Sequence, residues 1–203
     1  VVITVDNGIA AAAEVEQLQA SGITTVITDH HLPGAELSGG IVVNPNHPEC
    51  PYPFKKLSGC GVALKLALGV RKVLREQGWW TTDRPEPNLL DSMDLAALGT
   101  IADVVPLVDE NRIMVQFGLQ VMNSKPRPGV TAMRSLRKTD KVVARTVGFQ
   151  FAPLLNASGR LKDASLGVEL LRCQDDESAR IIVAELNRTN EERKSDKAAA
   201  ERK

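Results

Sequence analysis

Val1 to Val5 is an unbroken apolar, β-branched run, the pattern of a strand buried on both faces. Asp6-Asn7-Gly8 cuts it off. From Ile9 to Ala20 the chain is Ala-rich with Val15 and Leu18 on one side, which predicts a helix closed by Ser21-Gly22. Ile23 to Thr28 is a second β-branched strand, ended by Asp29-His30-His31-Leu32-Pro33-Gly34, and Ile41 to Val43 a third. Strand, helix and strand at this spacing predict a right-handed βαβ unit and a parallel sheet.

Residues 44–57 are a Pro- and Asn-rich loop. Ser58-Gly59-Cys60-Gly61 opens a long helix, with Val62, Leu66, Val70, Val73 and Leu74 on one face and Gly78 as its stop. After a connection, Asn88 caps a helix holding Leu89, Leu90, Met93 and Leu98, which ends in the string Gly99 to Pro106. Residues 110–123 are helical with Ile113, Phe117 and Val121 on one face. Lys125 to Gly129 reads as a linker, and a short helix follows at 130–137. From Asp175 one long helix turns almost wholly polar after Leu186, as a linker helix running toward a second domain would. The expected divisions are an α/β core over 1–108, a helical, basic part over 109–174, and the linker helix over 175–203.

Charge alters this picture more than composition does. The net charge over 203 residues is zero, which by itself speaks against a nucleic-acid partner. Its distribution is uneven. Residues 1–54 hold no Lys or Arg, yet carry Asp6, Glu14, Glu16, Asp29, Glu36 and Glu49. Between Lys125 and Arg172 there are ten basic residues against Asp140, Asp163 and Glu169. An acidic half suits cations and a basic half suits phosphates, although uneven solvated surface explains charge alone equally well. Cys50, Cys60 and Cys173 stand at unrelated spacings and make no disulfide framework, which points to a reducing compartment and the cytoplasm. No run of eighteen apolar residues exists, so no membrane-spanning helix is expected. The opening residues lack an initiator Met, and the expectation is a start inside a longer protein.

Candidate chemistry gathers where strands end. Asp6 closes the first strand and Asp29-His30-His31 the second, and in an open parallel sheet ligands bind beyond those carboxyl ends. Asp and His are ligands for Mn²⁺ or Zn²⁺, and Asp103 offers a third position. An Asp at a strand end is also a common turn or cap residue; two histidines directly after one are less easily structural. Ser58, Gly59 and Gly61 at a helix start offer free N–H groups to an anion, a weak signal alone. His47, Cys50 and Cys60 fit no zinc-finger spacing, Cys173 reads as packing, and Trp79-Trp80 as cover for the edge of a core.

Val5-Asp6-Asn7-Gly8-Ile9, then Asp29-His30-His31, then Gly99 to Leu107 resemble motifs two, three and four of the DHH phosphoesterases, in order. The longer strings are most similar to the RecJ exonuclease branch, as are Asn156-Ala157-Ser158-Gly159-Arg160-Leu161 and the terminal Asn187 to Arg193. The resemblance implies an α/β fold, a parallel sheet flanked by helices, with a mostly helical C-terminal part. It implies two ions, Mn²⁺ or Mg²⁺, sharing Asp6, with His30 and Asp103 on one of them. His31 would touch the scissile phosphate, Asp29 would orient a histidine, and Arg160 and Asn156 would hold phosphate oxygens. The implied activity is 5′-to-3′ hydrolysis of single-stranded DNA in repair and recombination, alongside replication or repair proteins. The family's first motif precedes Asp6 and is absent, so the expectation is activity in the longer parent and little in this piece.

Two alternatives stay open at this point. One keeps the fold but takes short oligonucleotides or cyclic dinucleotides as substrate. The other is a non-catalytic scaffold of the same fold, which has no need to keep Asp6, His30 and Asp103.

Overall fold

The computed structural model describes residues 1–34, 39–160 and 165–200, apart from the side chains of Arg160 and residues 194–200. It falls into two units, Val1–Phe117 and Gly118–Lys203.

The first unit is α/β, as the hydrophobic pattern predicts. Three parallel strands, β1 (Val2–Val5), β2 (Thr25–Thr28) and β3 (Ile41–Val43), lie in the order β1-β2-β3. The register pairs Val2 with Thr25, Val5 with Thr28, and Thr28 with Val43. All three strands therefore end at one level, which brings the residues after Val5, Thr28 and Val43 side by side. Helix α1 (Ala12–Ala20) makes the crossover between β1 and β2 and buries Val15 against the sheet. Helices α2 (Gly59–Glu76) and α3 (Met93–Ala102) pack on each other, and a 3₁₀ turn, Leu89–Ser92, leads into α3.

Three expectations are corrected here. β1 is not buried on both faces: Ile3 is 55% exposed and Val5 50%, because β1 is the edge of the sheet and among the described residues nothing covers its outer side. On α2 only the N-terminal turns are buried; Val70 and Val73 stand exposed on an open apolar surface with Val43, Leu66 and Gly69. On α4 (Asp109–Ser124) the buried stripe is Asn111, Met114, Val115 and Met122, while Ile113 and Phe117 are exposed. Asn111 sets that rotation, since its Nδ2 donates to the carbonyls of Lys56 and Pro106 at 2.6 and 2.9 Å.

The second unit is helical. Its core gathers Val130 and Met133 of α5 (Pro128–Arg137), Val142, Leu170 of α8 (Leu166–Arg172), and Val147, Phe151 and Leu154 between them. Val147 and Phe151 lie on a π turn, Val147–Phe151, which follows the short helix α6 (Ala144–Thr146), and Leu154 lies on the short helix α7 (Ala152–Leu155) after it. Pro128 in the first turn of α5 suits a helix start, and Lys138 closes the helix in the left-handed conformation. A side chain at Gly129 would strike the Leu170 carbonyl, so that glycine sets how near α5 and α8 come. Helix α9 (Asp176–Ala200), expected as a linker, carries a thin buried stripe at Ala179, Val183, Leu186 and Asn190 and packs on α5, α7 and α8.

Candidate metal centre

Asp6 follows β1 with φ 63°, a left-handed conformation that Asp tolerates better than most residues. Gly8 (φ 107°) then turns the chain back, and the amide of Ile9 donates to Oδ2 of Asp29 at 3.0 Å. The loop after β1 is thereby tied to the loop after β2.

Asp29 is 1% exposed and fully used. Its Oδ1 accepts the backbone N–H of His30 at 2.8 Å and of His31 at 3.2 Å, and lies 2.7 Å from Nδ1 of His31. Burial alone would raise the Asp29 carboxyl. The bonds from the His31 ring and from the amides of Ile9, His31 and His30 outweigh it and hold the carboxyl below its ordinary range. Its partner moves the opposite way: the hydrogen bond to Asp29 pushes the His31 imidazole up. Nδ1 of His31 is therefore the donor, and Nε2 is left for another contact. From the loop after β3, Asn44 donates to the carbonyl of His31 at 2.9 Å and Asn46 to that of His30 at 2.6 Å.

These bonds aim His30 at the carboxylates. Its Nε2 lies 3.1 Å from Oδ1 of Asp6 and 3.5 Å from Oδ2 of Asp103. The atom is buried, yet neither approach has hydrogen-bond geometry, and it has no partner among the described residues. Asp6, His30 and His31 can each place a ligand atom within 4.8 Å of the others. Asp103 ends α3 as its C-cap, held by its amide to the Gly99 carbonyl at 2.9 Å, and Val104 after it has φ 60°. Burial raises the Asp103 carboxyl; the nearby His30 opposes that shift, Asp6 adds to it, and His31 opposes it. A buried imidazole nitrogen without a partner, between two carboxylates of which one is pushed toward protonation, is a donor set that fits a divalent cation.

The helix-start residues sit beside this group in a different way from the sequence expectation. Ser58, Gly59 and Gly61 are buried. The Ser58 hydroxyl caps α2 by accepting the Gly61 amide at 3.1 Å and lies 3.0 Å from Oγ1 of buried Thr100. The anion at this helix start is Asp6, whose carboxylate packs against Gly59 where a side chain would otherwise stand. Asn156 is exposed at the head of a 3₁₀ turn, Asn156–Arg160, in the second unit, and the side chain of Arg160 lies outside the described residues. Asn44, Asn46 and Thr100 escaped the sequence reading. The one available signal was an Asn directly after a third strand end.

The profile of the DHH family, N-terminal domain, matches residues 1–100. RecJ of Dickeya dadantii (strain 3937), a single-stranded-DNA-specific exonuclease, is 45% identical over 198 residues, 95% of this chain and 34% of that protein. The chain belongs to the DHH family. Its RecJ-like character extends to distant relatives. RecJ of Thermus thermophilus is 36% identical over 202 residues, 99% of this chain and 28% of that protein. The crystal structure of RecJ from Thermus thermophilus in complex with Mn²⁺ superposes with a TM-score of 0.83 at 35% identity, covering 98% of this chain and 29% of that one. A structure of exonuclease RecJ bound to manganese gives the same TM-score at 36% identity, over 98% of this chain and 49% of that one. The chain spans about a third of the length of the curated relatives it matches most strongly. No helix among the described residues is long and apolar enough to cross a membrane.

Proposed function

We propose that the full-length protein is a Mn²⁺- or Mg²⁺-dependent phosphodiesterase that removes nucleotides from single-stranded DNA in the 5′-to-3′ direction, in repair and recombination. The observation that carries this reading is the buried Nε2 of His30, without a hydrogen-bond partner and 3.1 and 3.5 Å from the carboxylates of Asp6 and Asp103. The relatives support the substrate, being single-stranded-DNA-specific exonucleases, and the solved structures with Mn²⁺ or Mg²⁺ support the cations.

Asp6, His30 and Asp103 would hold the cations. When bound, divalent cations supply positive charge for the phosphoryl oxygens and make water acidic enough to act as a nucleophile. His31 meets a phosphate oxygen through Nε2, and Asp29 keeps its ring in that tautomer and raises its proton affinity. Arg160 and Asn156 hold further phosphate oxygens. The free cysteines favour a reducing compartment, the cytoplasm, and proteins of replication and repair are the partners to look for.

The test is nucleotide release from 5′-labelled single-stranded DNA by the full-length protein with Mn²⁺, wild type beside Asp103→Ala. Mononucleotides released by wild type and lost in the variant support the reading. Release that survives the substitution, or activity on dinucleotides alone, overturns it.

A further inference from the structure

We propose that the turn Ser58–Gly61 is a positioning clamp that sets the separation of Asp6 and Asp103, working through two glycine notches. The proposal rests on the metal reading of those carboxylates.

Three successive residues of the turn face three different neighbours. Ser58 meets Thr100 of α3 through their hydroxyls, 3.0 Å apart and buried. Gly59 receives the side chain of Asp6: a Cβ at Gly59 would overlap Oδ1, Cγ and Cβ of that residue. Cys60 fills the notch at Gly99, where a Cβ would overlap its Sγ and Cβ. At Gly61, the fourth residue, a Cβ would come within 3.3 Å of Leu57 and 3.4 Å of Met114, a tighter fit than side chains usually make. Gly99 accepts the amide of Asp103 one helical turn later. An unbroken line of contacts thus runs from Asp6 through Gly59, Cys60 and Gly99 to Asp103, and every link is at packing distance. Cys60 is exposed as a residue, but its sulfur is crowded by protein; that burial, with Asp6 and then Asp103 nearby, pushes the thiol up, as suits a packing sulfur rather than a nucleophile.

A helix interior favours alanine over glycine. Glycine at 99 therefore runs against helix propensity, and the Cys60 contact supplies a steric reason for it. Gly69, on α2 beyond the turn, has open space around it and serves as the control.

The experiment is Mn²⁺ binding to the full-length protein, read from the electron paramagnetic resonance signal of free Mn²⁺, with thermal melts of each variant alongside. Gly99→Ala pushes Cys60 aside and is expected to weaken Mn²⁺ affinity by about tenfold or more, the range for residues that orient ligands. Adding Cys60→Gly removes both overlapping atoms and should bring affinity back to within about threefold of wild type, as for directly coupled sites. Gly69→Ala should bind as wild type does. A merely structural glycine would lower the melting temperature of Gly99→Ala and leave the affinity of the folded protein unmoved.

Affinity unchanged in Gly99→Ala, or not restored in the double variant, overturns the clamp while the metal reading stands. A wild type that binds no Mn²⁺ overturns the metal reading and the clamp with it. Where Gly99→Ala does not fold, Thr100→Val replaces it. Valine keeps the volume but loses the hydroxyl facing Ser58, and an unchanged Mn²⁺ affinity there overturns the clamp equally.

Discussion

Oδ1 of Asp29 lies 2.7 Å from Nδ1 of His31 and also accepts the amides of both histidines. Each partner's titration is displaced by the other: His31 upward, Asp29 downward once the bonds from His31 and the amides outweigh burial. The raised histidine stabilises the fold fully below its unfolded value, about 6.5, and loses that contribution as pH rises through the higher folded value. The lowered carboxyl stabilises above its unfolded value, about 3.9, and loses that as pH falls through the lower folded value. In chelator-treated protein, His31→Ala is therefore expected to cost most between about pH 4 and 6.5, and less on either side. Urea midpoints across pH measure this. A cost that stays flat from acid to alkaline pH rules the pairing out.

Asp103 carries the opposite signature. Burial raises its carboxyl, and Asp6 adds to that shift against the attraction of His30. In metal-free protein at neutral pH, Asp103→Asn should leave stability equal or higher, since a carboxylate that resists ionisation has been removed. Mn²⁺ should reverse the ranking. At a hundred times its dissociation constant it adds about 2.7 kcal/mol to a protein that binds it only when folded, and the variant should gain almost none. Melting curves with and without Mn²⁺ decide the point, and equal shifts for both proteins would place the cation elsewhere.

The ends of β1 and β2 were legible because a parallel sheet makes chemistry out of strand ends, and Asp6 with Asp29-His30-His31 stand at two of them. Asp103 stood only as a third possible position, since nothing local marks a helix C-cap as a candidate ligand, and the family resemblance supplied its expected role. The contact of Asp6 with Gly59 was not legible: the two residues are far apart in sequence, and only the packing of α2 on β1 joins them. The α4 stripe was misread because two apolar rows, 113/117/121 and 114/118/122, both obey helical spacing, and Asn111 chooses between them through carbonyls of two separate loops. The edge position of β1 was hidden for a related reason, because a β-branched run looks the same whether or not a neighbour covers it.

Away from the site, Glu110 accepts a hydrogen bond from the Tyr52 hydroxyl and pairs with Lys65, tying the 44–57 loop and α2 to α4. Burial would raise its carboxyl; Lys65 and then Tyr52 outweigh that and hold it low. Its stabilisation is present above the unfolded value, about 4.3, and fades as pH falls through the folded one. Tyr52→Phe should cost about 0.5–1.5 kcal/mol at pH 7, and the gap to wild type should narrow in acid. Denaturant titrations at pH 7 and pH 3 test this. A gap as wide at pH 3 would mean that the hydroxyl matters through packing alone.

Val104 is the residue least suited to its own backbone. It is β-branched, 86% exposed, and held at φ 60°, so no buried contact compensates for the left-handed conformation. Such a residue costs roughly 1–2 kcal/mol there, whereas asparagine tolerates the conformation through its short polar side chain. Val104→Asn is therefore expected to stabilise the protein by about 1 kcal/mol. Asparagine keeps the left-handed turn directly after Asp103 and so leaves that carboxylate beside His30. Stability should therefore rise while Mn²⁺ affinity stays as in wild type. Denaturant melts and Mn²⁺ titration of the same preparation measure the two effects. A variant that gains no stability would show that the conformation at 104 costs valine nothing, and a loss of Mn²⁺ affinity would show that the valine side chain itself positions Asp103.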